Sequence, residues 1–525
     1  MAAPQEHGTT DGGEPAVPQK PPATDTRIEQ QTGYAEPVDP WATGEAAALA
    51  AGNHLPYRVA AGPEAADSTW TVPGAAPAPG AGAGPVVRPY RTWGLIAAAA
   101  AVVAVAVTAA VVLWPGVRAL EFHPVQEIGR FDPAVPITTA FSDAELIGER
   151  AYFASTDVDG RLGVVAVDTG SRDVVWSNAT VGTAGLWDRM VALPQVLVVF
   201  SGLEPVTGTA RMRVLSADDG EQLWNRPVGA SDTVHFGADT VLLVDRVEER
   251  LLGLDLTSGK VRWEEADPDA TTVVTVTTPA DLAGPAGSAG RPFSPDITDD
   301  DRFVQINSDR SASVRDIRTG KVTKSRPSVA GTSDEAIAHN GRLFVQESGN
   351  ARRIFAYDLD DLGEPTILHT AEPTSELGGL TPCGDSRLCF VETPGYDRDR
   401  SQVAAVDAEK GGELWRRDVA EVDTLIPVGD AVLAVSDETS TLLDSSGGPM
   451  WTVPGVAVRL DAGNLLRFSD SLTTSVSSRS LSGVHVGDEP AEMGLLRDVR
   501  PGACAWNTSV LACVREADFA LYSFA

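Results

Sequence analysis

From about residue 137 to its end the chain alternates short β-branched runs with Gly, Asp and Asn turns, and no amphipathic helical period stands out. The runs recur as units of about 35 to 60 residues built to one plan. A first strand such as TVLLVD (240–245) follows a turn. A second ends in Asp or a substitute, and then come a Gly turn and an aromatic residue. GLDLTSGKVRW (253–263) shows the plan plainly, with Asp255, Gly259 and Trp263 at a constant spacing of four. Related units place Asp168 before Trp176, end at Trp224, place Asp407 and Gly411 before Trp415, and place Asp444 before Trp451. Two more keep the frame without the Trp, one with Asp316 and Gly320, the other with Asp358.

Each residue type has a physical reason to sit where it does. Asp at a strand end accepts the backbone N–H groups of the turn that follows. Gly supplies a positive φ where the chain reverses. The returning strand then delivers Trp at a fixed offset, where its ring buries against a neighbouring unit and its N–H still finds an acceptor. Four-stranded units repeated at this period predict an all-β fold, a β-propeller.

This pattern resembles the tryptophan-docking repeat of pyrroloquinoline-quinone-like (PQQ-like, quinoprotein-type) propellers, the family that includes the Bam-type outer-membrane assembly lipoprotein. The resemblance covers residues 138–525. It implies eight blades, with seven or nine as alternatives, because nine hairpin-like units are visible and the last two are degenerate. The terminal hairpin is expected to close the ring by pairing with a strand at 121–129 or just after it, which protects the sheet edges. WD40 repeats fit less well, since Trp187-Asp188 is the lone such dipeptide and lacks a Gly-His partner. The long stretch 267–300 is the hardest place to set a blade boundary, and TTPADLAGPAGSAGRPFSPD within it reads as an exposed loop.

Ahead of the repeats, residues 93–114 form an uncharged run of 22 residues with Trp93 and Trp114 at its ends. At about 1.5 Å per residue a helix of this length reaches roughly 33 Å, enough to cross a bilayer core. Some ninety residues precede it, which a cleaved signal peptide would not have. A transmembrane helix is therefore expected over 92–115, with a Pro/Gly/Ala-rich disordered cytoplasmic tail over 1–91 and a linker or ring-closing strand over 116–137. Arg88 and Arg91 against Arg118 give a slender positive-inside bias. The cysteines orient the chain better. Cys383, Cys389, Cys504 and Cys513 all follow the apolar run, in close pairs around turn-forming residues. Of three connectivities, Cys383–Cys389 with Cys504–Cys513 is preferred over a zinc site, since neither spacing is CxxC and no His is adjacent. Disulfides place the repeats on the extracytoplasmic side of a cell membrane.

A net charge of −32 argues against nucleic acid as a partner. A working quinone dehydrogenase, as the resemblance implies, carries a vicinal Cys-Cys disulfide, an Asp base and a calcium site, and no Cys-Cys pair occurs. Asp157 and Asp159 in TDVDGRLG lack the further ligands of a calcium loop and read as a hairpin turn. No catalytic residue, cofactor or metal is therefore assigned. The expectation is a non-enzymatic binding, scaffold or sensing module whose propeller face meets cell-envelope proteins or glycans. A propeller enzyme, quinone-dependent or hydrolytic, and a receptor signalling through its tail are the alternatives.

Overall fold

A computed structural model describes residues 117–267, 271–285, 298, 300–349, 351–436, 439–470 and 476–525. The expected tail and membrane helix, 1–91 and 92–115, lie outside the described residues. No helix among the described residues is long and apolar enough to cross a membrane.

The described residues form 36 strands and one 3-10 turn. Every sheet is built as an antiparallel meander of four strands, innermost to outermost. In chain order the sheets cover 142–183, 187–229, 233–266, 272–326, 335–370, 375–418, 424–454 and 456–497. A ninth combines three C-terminal strands, 499–523, with Gln126–Phe131 from the other end of the chain. Sheets 4 and 5 are joined through their innermost strands, where Val276 pairs in parallel with Ala338 and Thr277 with His339.

Apolar seams connect each sheet to the next all the way round. Val198 and Leu243 meet between sheets 2 and 3, Leu242 and Phe303 between 3 and 4, and Phe344 and Phe390 between 5 and 6. The other seams follow the same scheme. The last joins sheet 9 to sheet 1, where Phe153 stacks on Phe519 with centroids 4.9 Å apart. Alternate side chains of each strand feed the two seams on either side, which is why the inner strands read as nearly continuous apolar runs.

The count corrects the expected eight to nine four-stranded sheets among the described residues. The terminal hairpin does not complete an existing sheet. With the strand before it and Gln126–Phe131 it makes a sheet of its own, paired from Gln126 opposite Ser523 to Phe131 opposite Phe519 with a bulge between Glu127 and Gly129. First and last segments thus share one ladder, so the ring has no open edge there.

The two faces of the ring differ. One carries the turns between first and second strands and between third and fourth. The other carries the turns between second and third strands and the crossings between sheets. The chain enters on the first face: Asn464 donates from Nδ2 to Arg118 O at 3.0 Å and accepts from Leu120 N at 3.2 Å. The loop that begins at Thr278 belongs to the same face. Its described start is exposed at Pro279, Ala280, Ala283 and Pro285, as expected, but it is also tethered to the ring. Leu282 is buried, and Gly284 O accepts from Arg459 Nε of sheet 8 at 2.8 Å, while Arg459 Nη1 donates to Pro427 O of sheet 7. Sheets 4 and 8 are nearly opposite in a ring of nine, so this strap spans the mouth of the ring on that face.

Candidate functional site

The repeat residues build the seams. Trp176, Trp224 and Trp263 each donate from Nε1 to a carbonyl of the next sheet, Ala217, Leu256 and Ile317, at 2.9 Å. Trp415 does the same to Ser445 O at 3.0 Å. Three acceptors directly follow the residue that ends the neighbour's third strand, Ser216, Asp255 or Asp316, and the fourth follows Asp444, one residue past the strand end at Leu443. Those aspartates fold the turn. Asp255 accepts from Ser258 N at 2.8 Å and Asp316 from Thr319 N at 2.8 Å. Asp168 accepts from Ser171 N, Asp407 from Lys410 N and Asp444 from Ser446 N, each at 2.8 Å. Asp358 accepts from Asp360 N, also at 2.8 Å. Backbone donation holds Asp168 and Asp407 below the ordinary carboxylate range, and the Arg262 guanidinium does so for Asp255.

The glycines receive the indoles. A Cβ on Gly259 would stand 2.7 Å from Trp224, and one on Gly320 would stand 2.5 Å from Trp263. Gly220 and Gly447 face Trp176 and Trp415 in the same way. Gly411 has no indole above it and meets the Ile367 carbonyl instead. Trp451 is the exception among the tryptophans. Its Nε1 is buried without a partner, because sheet 8 ends its third strand at His485 and lacks the Asp-led turn.

Sequence reasoning missed the device that aims these rings. In each of sheets 1 to 8 the pairing of third and fourth strands slips in register, beside the Trp wherever one is present. Trp263 pairs with Gly253 and Val261 with Leu254, the extra residue between them forming a bulge. A bulge increases local twist and re-aims a side chain, here toward the neighbouring sheet. The sequence signal was available as the constant offset between turn and aromatic.

The cysteines pair as 383–389 and 504–513. The first closes the turn between the inner two strands of sheet 6. The second links the inner strands of sheet 9 at directly opposed positions. Asp157 accepts from Asp159 N at 3.0 Å and Arg161 N at 2.9 Å, an ordinary hairpin turn. Among the described residues no group of three His, Cys, Asp or Glu side chains is placed to hold a metal.

None of these residues forms a recess. A cleft of about 970 Å³ lies on the face opposite the strap. It opens where the innermost strands of sheets 1, 2 and 9 begin, with Phe141, Ser142, Trp187, Asp188 and Val499 in its wall and Ser477 and Glu516 at its edge. Asp143 braces it, accepting from Ala144 N and, across the seam, from Met190 N, both at 2.9 Å. Its two guanidiniums are engaged. Arg500 donates to Thr138 O and to Ser142 Oγ, and burial pulls it below its ordinary value. Arg189 lies over the Phe200 ring at 4.6 Å. Asp188 is exposed to the opening. The cleft therefore presents carboxylate, hydroxyl and aromatic surface together.

Histidines on the inner strands are held neutral. Burial pushes His339 down to about 4, and its Nδ1 shares a 2.9 Å hydrogen bond with Thr277 Oγ1. Burial, with Arg189 nearby, likewise takes His235 to about 4. Between sheets 5 and 6, Glu392 accepts from His369 at 3.1 Å and from Arg416 at 2.8 Å. Its burial would raise it, but these donors outweigh that effect and leave it at about 2.

Residues 146–361 match the family described as outer membrane protein assembly factor BamB. No curated protein matches the chain. Among solved structures, BamB from Moraxella catarrhalis is 13% identical, covering 76% of this chain and 98% of that one at a TM-score of 0.38. The C-terminal WD40 domain of Sif2 is 10% identical, covering 77% and 99% at 0.39. A europium-containing methanol dehydrogenase is 12% identical, covering 66% and 85% at 0.36. The match over sheets 1 to 5 and the recurrent indole docking make this ring a PQQ-like β-propeller.

Proposed function

We propose that this PQQ-like β-propeller is the extracytoplasmic, non-enzymatic binding module of a single-pass membrane protein, acting as a scaffold or sensor for envelope proteins or glycans. The observation that carries this reading is the cleft on the face opposite the strap. It is a polar, aromatic-walled recess formed where three sheets of a closed, rigid ring meet, the kind of position where propellers and other repeat folds hold ligands. The match to a family of assembly factors supports a scaffold role. The apolar run 93–114 and two disulfides support an anchor and an oxidising compartment.

A photoreactive residue placed at Asp188 or Ser477 of the full-length chain tests the reading in intact cells. Protein or glycan adducts at both positions are the expected result. Absence of adducts, or stabilisation of the purified protein by several degrees with pyrroloquinoline quinone and calcium together, would favour the enzyme reading instead.

A further inference from the structure

On the cleft face, beyond the cleft, sheets 1 to 3 carry apolar side chains at the tips of adjacent turns. Val158 is 91% exposed, Val206 97% and Val247 73%. Leu186 and Leu203 lie between them and are also exposed. Leu186 and Leu203 are neighbours, and the three valines top hairpins of successive sheets on the same face. Gly202 N donates to Leu186 O at 2.9 Å, which sets Leu203 beside Leu186. Val247 lies against Gly229, which pairs with Thr209 at the base of the Val206 hairpin. Single exposed apolar residues are ordinary on a protein surface, but a crest assembled from three successive sheets marks a contact site.

The charge around the crest is predominantly negative. Asp159, Glu204, Glu248 and Glu249 are exposed beside the apolar tips. Of the neighbouring guanidiniums, Arg246 is paired with Asp267 at 3.3 Å and Arg161 with Asp157 at 3.4 Å, while Arg161 and Arg211 remain exposed, so carboxylates outnumber the exposed cations. The crest is therefore an apolar ridge inside an anionic rim.

The path of the chain narrows what can cover it. Val117 packs against Gly463 on the strap face, and it stands three positions after Trp114, a reach of about 10 Å. On the membrane-anchored reading proposed above, the strap face is held at the bilayer and the crest points away from it. A lipid surface is then out of reach, and so is the tail on the other side of the membrane. A second copy of this chain would bring two anionic rims together. We propose that the crest is the docking surface for a different protein, one whose patch combines an apolar groove with Lys or Arg at its border.

The test uses the full-length chain in intact cells, with a photoreactive residue at Val158, Val206 or Val247 and a control at Asp430 on the strap face. The expected result is one adduct of common mass from all three crest positions and none from Asp430. Its yield should fall about tenfold in the Glu248→Lys, Glu249→Lys variant, whose exposed side chains leave the melting temperature unchanged. An adduct of twice the chain mass, a lipid-sized mass increase, equal yield at Asp430, no adduct, or indifference to the charge reversal would each overturn the proposal. Alkaline extraction of the same membranes separates the two readings. Release of the chain would refute the anchor while leaving the crosslinking pattern to judge the docking surface.

Discussion

Leu362 stands in sheet 5 where Gly320 stands in sheet 4, four residues after the turn aspartate, and both adopt a positive φ, +50° and +70°. Each N–H closes the same turn, Leu362 onto Asp358 O at 2.8 Å and Gly320 onto Asp316 O at 2.9 Å. What differs is the neighbour. Gly320 lies beneath the Trp263 ring, whereas the outermost strand of sheet 4, the sheet before Leu362, carries Lys324 in place of Trp. Leu362 is buried in the seam between sheets 4 and 5, filling space that an indole fills elsewhere.

The two positions therefore have opposite requirements. Gly320→Leu should lose at least about 3 kcal/mol, from clash with Trp263 together with side-chain strain at positive φ. Leu362→Gly should lose about 2 kcal/mol, since the cavity it opens outweighs the relief of strain. Denaturant melts of both variants check this, and equal tolerance of leucine at the two sites would contradict it.

Trp263 and Trp451 should respond differently to the same change. Trp263→Phe removes the bond to Ile317 O and leaves that carbonyl short of a donor, a loss of about 1–3 kcal/mol. Trp451→Phe removes a buried N–H that has no acceptor and should be neutral or stabilising. Thermal melts of the pair give the answer.

Stability should decline with acid through His339. Unfolded, this histidine protonates near 6.5, whereas the folded chain, because of burial, keeps it neutral down to about 4. Its contribution is complete above 6.5 and is lost as pH falls from there toward 4, amounting to about 2 kcal/mol by pH 5. Comparing melts at pH 7 and pH 5 for the natural chain and His339→Gln should show a shallower dependence in the variant.

Reducing the disulfides should cost about 2–3 kcal/mol for each short loop released. Cys504 and Cys513 join the two inner strands of sheet 9, the sheet whose outer strand closes the ring. The Cys504→Ala, Cys513→Ala variant should therefore unfold earlier than the natural chain. Hydrogen exchange should rise first along 126–131 and 519–523.

Much of this fold is written in short-range pattern. Asp255, Gly259 and Trp263 announce a turn, a reversal and a docking ring, because each follows from local backbone chemistry. Nine units were visible in the residues as well, down to the degenerate hairpin at 519–525. The eight-bladed count came from the resemblance, with nine as an alternative, and the pairing of the terminal hairpin with an early strand was legible as the way to protect the sheet edges. The strap was hidden. Ala- and Gly-rich sequence reads as exposed loop, and nothing local reveals that Gly284 O will meet Arg459 across the ring. The cleft was less legible still. Phe141, Trp187, Ser477 and Glu516 share no spacing or motif and become neighbours when the ring closes.

The central claim is a closed wheel of nine sheets whose last sheet borrows its outer strand from residues 126–131. Electron cryomicroscopy of the full-length chain in detergent, viewed down the ring axis, tests it most directly. The account predicts nine radial densities in an unbroken circle, and eight densities or an open arc would contradict it.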